Sequence, residues 1–135
     1  MSTQFRVSLA VGLGSALGAM SRYAVSLLIL ALPGQHPFPW ASLLVNTLGS
    51  LLIGLYATLS APDGPLKTSH AQRQFVITGF CGGFTSFSIF SLETLHLIQQ
   101  GMVWLAGLNI IASLILWLLA VWLGWYLAIR LFYRS

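Results

Sequence analysis

The run Thr78-Gly79-Phe80-Cys81-Gly82-Gly83-Phe84-Thr85-Ser86-Phe87-Ser88-Ile89-Phe90-Ser91-Leu92-Glu93 decides how this chain is read. It lies in an apolar stretch of about residues 72–98, and ~20 residues of helix cross the hydrocarbon of a bilayer. Yet three glycines within five residues, followed by hydroxyls, weaken a helix at what should be mid-membrane depth. A break there frees backbone carbonyls. Lipid tolerates such groups only where they are buried in protein, line a water-filled cavity or hold an ion. Phe84, Phe87 and Phe90 step by three and so line up on one face of the helix after the break. Their ring edges are positive and can meet an anion, with Ser88 and Ser91 as donors beside them; a packing or lipid-facing stripe would use the same rings. Glu93 is the only acid in any apolar segment. Alone it reads as a functional site, a proton carrier or a buried partner of Arg22.

Working outward, the whole chain is equally apolar. Its 135 residues are 57% hydrophobic and 6% charged, against roughly 25% charged residues in a soluble domain. Its solvent is therefore lipid, which leaves helices or a closed barrel. The segments are apolar on every side rather than alternating, so helices are expected. The net charge of +4 does not indicate nucleic acid, because the cations sit beside or between the apolar runs, where membrane anchors belong. A single cysteine, Cys81, excludes an internal disulfide framework and a cysteine-based zinc site, and reads as a small buried residue. Arg6, the apolar residues 7–14 and Ala16-Leu17-Gly18-Ala19 imitate a signal peptide, but the apolar pattern resumes at Tyr23-Ala24-Val25 and points to a mature first helix.

The chain reads as a single transmembrane domain over residues 1–135, with helices at about 5–31, 40–60, 72–98 and 102–130. The first loop, Pro33-Gly34-Gln35-His36-Pro37-Phe38-Pro39, is too rich in proline to continue a helix. The second, Ala61-Pro62-Asp63-Gly64-Pro65-Leu66-Lys67, is a polar turn. The third is only Gln99-Gln100-Gly101, so the last two helices form a tight hairpin. An even number of spans puts both termini and the second loop on one side. That side carries Arg6, Lys67, Arg73, Arg130 and Arg134, whereas the other has only Arg22, and the positive-inside rule places the richer side in the cytoplasm.

Polar residues inside the spans fall in stripes. Gly14, Gly18 and Arg22 are spaced by four on the first helix, Ser42, Asn46, Ser50 and Gly54 on the second, and Asn109 and Ser113 on the fourth. Small residues at that spacing suit close helix packing, and Arg22 suits a headgroup anchor. Asn46 and Asn109 demand more, since an amide has several hydrogen-bonding sites to satisfy.

These residues identify a family. The stretch from Gly79 to Glu93 closely resembles the central motif of the Fluc (CrcB) fluoride channels, and Gly18-Ala19-Met20-Ser21-Arg22-Tyr23 and Asn46-Thr47-Leu48-Gly49-Ser50 agree with it. The resemblance covers nearly the whole chain. It implies an all-α membrane protein of four transmembrane helices, the third broken mid-membrane, assembled as an antiparallel dual-topology dimer in a bacterial-type inner membrane. It implies two fluoride pores lined by Phe87 and Phe90, with Asn46 at the pore mouth and a polar track through Ser88 and Ser113. It also implies a central sodium ion held by the backbone carbonyls of Gly82 and Thr85. The chain departs from that pattern at Ile89, where a hydroxyl is usual, and at Asn109, where a tyrosine is frequent; Asn109 can replace the lost hydrogen bonding. Arg22 and Glu93 would stand at the vestibule.

A proton-coupled exporter of small cations, similar to the small multidrug transporters, is the alternative that Glu93 invites. In those proteins the essential acid lies in the first helix, where this chain has Arg22. A passive subunit of a larger complex would leave the motif of the third span unexplained. Fluoride export needs no covalent chemistry, so no enzyme is expected. The five-to-one cation bias conflicts with a self-paired antiparallel dimer, and pairing with an oppositely oriented homologue or a bias too weak to fix insertion would each reconcile them. Accessibility labelling of both termini in intact cells separates these outcomes: labelling from both sides is expected of a homodimer, and one protected side excludes it.

Overall fold

The computed structural model describes residues 2–34 and 37–133. Gln35 and His36 of the first loop, and Arg134 of the cation count, lie outside the described residues. Four helical stretches are long and apolar enough to cross a membrane: Thr3–Leu30, Trp40–Leu59, His70–Gln99 and Val103–Phe132. The first, α1 (Thr3–Leu30), begins where the Ser2 hydroxyl accepts the Phe5 N–H at 3.2 Å. Helix α2 (Trp40–Leu59) starts directly after Pro39, whose fixed φ belongs at a helix start. Its C-terminal end is held by Arg73, which donates from Nε to Ser60 Oγ at 3.1 Å and from Nη2 to the Ala57 carbonyl at 3.4 Å.

The third stretch is not uniform. A capping box of Ser69 and Gln72 opens α3 (His70–Gln74). The chain then widens into a π-helix over Phe75–Cys81 and returns to one α-turn, α4 (Gly82–Phe84). Thr85 (φ −90°, ψ 153°) and Ser86 (φ −152°, ψ 114°) are extended. Helix α5 (Phe87–Gln99) follows, capped by the Ser86 hydroxyl, which accepts the Ile89 N–H at 3.1 Å. Phe84 therefore does not share a helix face with Phe87 and Phe90; it precedes the extended pair and stacks on Phe80 at 5.6 Å.

Helix α5 ends on a Schellman closure, with Met102 N–H on the Leu97 carbonyl at 2.9 Å and Gly101 N–H on Ile98 at 3.0 Å. That closure needs the left-handed backbone of Gly101 (φ +82°). The chain turns at once into α6 (Val103–Phe132).

Lipid tails are as apolar as leucine, so these helices adhere through close packing and internal hydrogen bonds rather than hydrophobic exclusion. Glycines make the approach close enough. Helix α1 lies on the π-helix and α4, and α2 lies on α6. A methyl group on Gly18 would collide with the Phe80 carbonyl oxygen, one on Gly83 with that of Ser15, and one on Gly54 with that of Val121. The stripe of Gly14 and Gly18 read from the sequence is thus the seam between α1 and the third span. Outward-facing leucines such as Leu28 and Leu118 are about 70% exposed in the single chain, as a lipid-facing surface requires.

Gly83→Ala should lower stability by about 1–3 kcal/mol, the usual cost of forcing a methyl group into a packed seam. Gly107→Ala, where an added Cβ meets nothing within 4 Å, should be neutral. Thermal unfolding of both variants in detergent micelles, followed by tryptophan fluorescence, checks the contrast.

Candidate ion pathway

The extended pair Thr85–Ser86 removes the hydrogen bonds that a continuous helix would have made, and α2 supplies replacements. Asn46, only 5% exposed, accepts the Ser86 N–H on Oδ1 at 2.8 Å and donates from Nδ2 to the Ser86 carbonyl at 3.2 Å. One carboxamide thus satisfies both backbone groups of one residue, as a paired strand would. Asn46 faces Ser86 because Gly49, one turn further along α2, leaves room for the Thr85 side chain; a Cβ on Gly49 would strike Thr85 Cγ2. Thr85 folds its hydroxyl back onto the Cys81 carbonyl at 2.7 Å, and its own N–H reaches the same oxygen at 2.9 Å.

This arrangement leaves acceptors spare, Gly82 and Thr85 among them. Ser86 N–H, which would have served the Gly82 carbonyl, is taken by Asn46, and Ile89 N–H, which would have served Thr85, is taken by the Ser86 hydroxyl. Among the described residues no hydrogen bond reaches either carbonyl oxygen. Gly82 is also exposed on the single chain. Free carbonyls one turn apart could hold a hard cation.

One turn before Asn46 on α2, Ser42 donates a short hydrogen bond to Glu93 of α5. Both line a cavity of about 680 Å³ at the end of the molecule formed by the first loop and the α5–α6 turn. Arg22, Ser26, Trp40, Ile89 and His96 share its walls. Arg22 and Glu93 therefore line one vestibule, but the acid takes the Ser42 hydroxyl, and Arg22 Nε is buried without a hydrogen-bond partner among the described residues.

The remaining polar groups form a separate chain between α5 and α6. Thr94 donates to the Phe90 carbonyl at 2.8 Å, Asn109 Nδ2 donates to Thr94 Oγ1 at 3.0 Å, and Ser113 donates to Asn109 Oδ1 at 3.3 Å. All three side chains are buried. Ser88 is exposed and stands outside this chain, whereas Thr94, which the sequence did not single out, is its hinge. Phe87 and Phe90 lie 5.5 Å apart, Phe87 69% exposed and Phe90 7%. Phe90 meets Trp117 of α6 edge to face at 4.9 Å, another contact that carried no signal in the sequence.

Four apolar spans with their amides and hydroxyls gathered inward, beneath a vestibule holding a cation and an acid, define a multi-pass membrane protein built around a polar path. The family model described as "CrcB-like protein, Camphor Resistance (CrcB)" matches residues 9–125, and the chain belongs to that family. Similar proteins carry a more specific name. One from Rhodopseudomonas palustris (strain BisB18), called "Fluoride-specific ion channel FluC 1", is 50% identical over 90% of this chain and 85% of its own length. "Fluoride-specific ion channel FluC" of Paramagnetospirillum magneticum is 51% identical over 84% of this chain and 88% of its own. A Bradyrhizobium diazoefficiens protein named "Fluoride-specific ion channel FluC 1" is 48% identical over 89% and 82% respectively. With its four spans, membership of this family makes the chain a multi-pass protein of the bacterial inner membrane.

Asn46→Ala should strip the Ser86 N–H of its partner, at about 1–3 kcal/mol for a group left unsatisfied, and leave the Ser86 carbonyl with only the Phe90 N–H at 3.4 Å. Hydrogen exchange in micelles should then rise at residues 85–87 first. Unchanged protection there would mean that another group holds the extended pair.

Proposed function

We propose that the chain is the subunit of a fluoride-selective channel that lets fluoride leave the cytoplasm passively. Its membership of a family whose relatives are named as fluoride-specific channels carries the reading. Passage of an ion makes and breaks no covalent bond, so the protein is a channel and not an enzyme. Fluoride is small and strongly hydrated. A selective path must offer donors and positive ring edges in place of water, and we assign that role to Phe87 and Phe90 with Ser88 and the Asn109 amide, which Ser113 holds in place. Arg22 draws the anion into the vestibule, where Glu93 is its polar neighbour. Asn46 works by holding the backbone at Ser86 in shape beneath the vestibule floor.

The interruption at Thr85–Ser86 is read as a break in the third span at membrane depth. The functional unit is read as two antiparallel subunits, self-paired or paired with a homologue. Two observations support a second copy. Phe87 is 69% exposed in the single chain and needs a second wall to line a pore, and Gly82, whose carbonyl is free, is itself exposed on the single chain. The carbonyls of Gly82 and Thr85 fit a sodium ion shared between copies; when bound, it would supply positive charge that lowers the cost of an anion in a low-dielectric interior. The relatives' names favour this reading over proton-coupled cation export through Glu93.

The test is efflux from liposomes loaded with fluoride or chloride and followed with ion-selective electrodes. Fast passive fluoride loss with chloride retained is expected, and Phe87→Ile or Phe90→Ile should abolish the flux while the protein stays folded. Absence of fluoride flux, both alone and with an oppositely oriented homologue present, overturns the reading; retained flux in both variants overturns the role of the rings.

A further inference from the structure

Asn109, Ser113 and Trp117 follow one another by four along α6, and the hydrogen-bond chain at the first two has a fixed direction. The Phe90 carbonyl can only accept, so the Thr94 hydroxyl must donate to it and keep Oγ1 as an acceptor. Asn109 therefore turns its amide nitrogen to Thr94 and its oxygen to Ser113, and Ser113 must donate to that oxygen. The hydroxyl protons of Thr94 and Ser113 are both spent inside the protein. An anion beside Phe90 needs a donor other than these two hydroxyls.

Trp117 supplies one. Its Nε1–H is a donor and nothing else, it is closed off from solvent, and it has no hydrogen-bond partner among the described residues. Its ring meets Phe90 edge to face at 4.9 Å, one turn beyond Ser113 on the same face of α6. A buried donor without an acceptor costs free energy that an acceptor returns, and an anionic acceptor returns more than a neutral one. Asn109 keeps one amide hydrogen as a further donor on this face of α6.

We propose that the Trp117 indole N–H is a fluoride ligand: it meets the ion next to the Phe90 ring, where the hydroxyls of the polar chain point away. This inference rests on the fluoride-channel reading. It gives the path a donor that is rigid, neutral and unable to exchange its role for that of an acceptor, which suits a site meant to bind an anion and release it.

The experiment uses the whole protein, ¹⁵N-labelled at indole nitrogens, in micelles and in liposomes. Of the five tryptophans, the one whose indole signal vanishes in Trp117→Phe should shift saturably on addition of sodium fluoride and stay still in sodium chloride. Trp117→Phe keeps a ring against Phe90 but removes the donor, and its fluoride efflux should fall about tenfold or more, the scale of one hydrogen bond to a charged group. If the unmodified protein passes fluoride but the indole signal does not move, or Trp117→Phe conducts like the parent, the inference fails while the channel reading stands. If the unmodified protein passes no fluoride, alone or with an oppositely oriented homologue, both fail. Should Trp117→Phe not fold, variants at the other four tryptophans assign the signal by elimination and the titration decides.

Discussion

Two hydrogen bonds from the Asn46 carboxamide to the Ser86 backbone let an apolar helical span stop being helical for two residues. In lipid that departure would leave several groups without partners, each costing more than a typical protein hydrogen bond returns. Asn46 brings one donor and one acceptor to one residue, and the Ser86 and Thr85 side chains absorb two more backbone groups. The carbonyls of Gly82 and Thr85 are left without a partner among the described residues, as are the Phe87 and Ser88 N–H groups that open α5. Those two carbonyls lie before and within the extended pair, while the ring edges lie further along α5 and α6.

Close packing sustains this geometry. Glycines at the α1 seam and between α2 and α6 bring backbones together, so the register of α2 against the third span is fixed within a fraction of a helical turn. Ser42 and Asn46, one turn apart, then meet Glu93 and Ser86 respectively. One face of α2 serves both the vestibule and its floor.

Much of this was legible in the sequence. Four apolar runs separated by a proline-rich loop, a polar turn and a three-residue link leave little choice for a chain in lipid, and the four-residue stripes of glycine announce which faces pack. Asn46 and Asn109 were marked as groups in need of partners. Their partners were not legible, because Ser86 and Thr94 are found only once α2 meets the third span and α6 meets α5. The π-helix over Phe75–Cys81 was hidden for a related reason: an extra residue per turn leaves no trace in hydrophobic spacing when every side is apolar. The expectation that Phe84 joins Phe87 and Phe90 failed because a three-residue step assumes an unbroken helix, and the extended pair lies between them. Trp117 escaped notice because a tryptophan in an apolar run looks like bulk until its nitrogen is seen to be buried and unpaired.

The central claim is passive, fluoride-selective conduction, and the reversal potential of the purified protein in a planar bilayer tests it most directly. With fluoride unequal across the membrane and chloride equal, the current should reverse at the fluoride equilibrium potential and stay there when a pH gradient is imposed. A reversal that follows the pH gradient, or no fluoride current at all, would contradict the account.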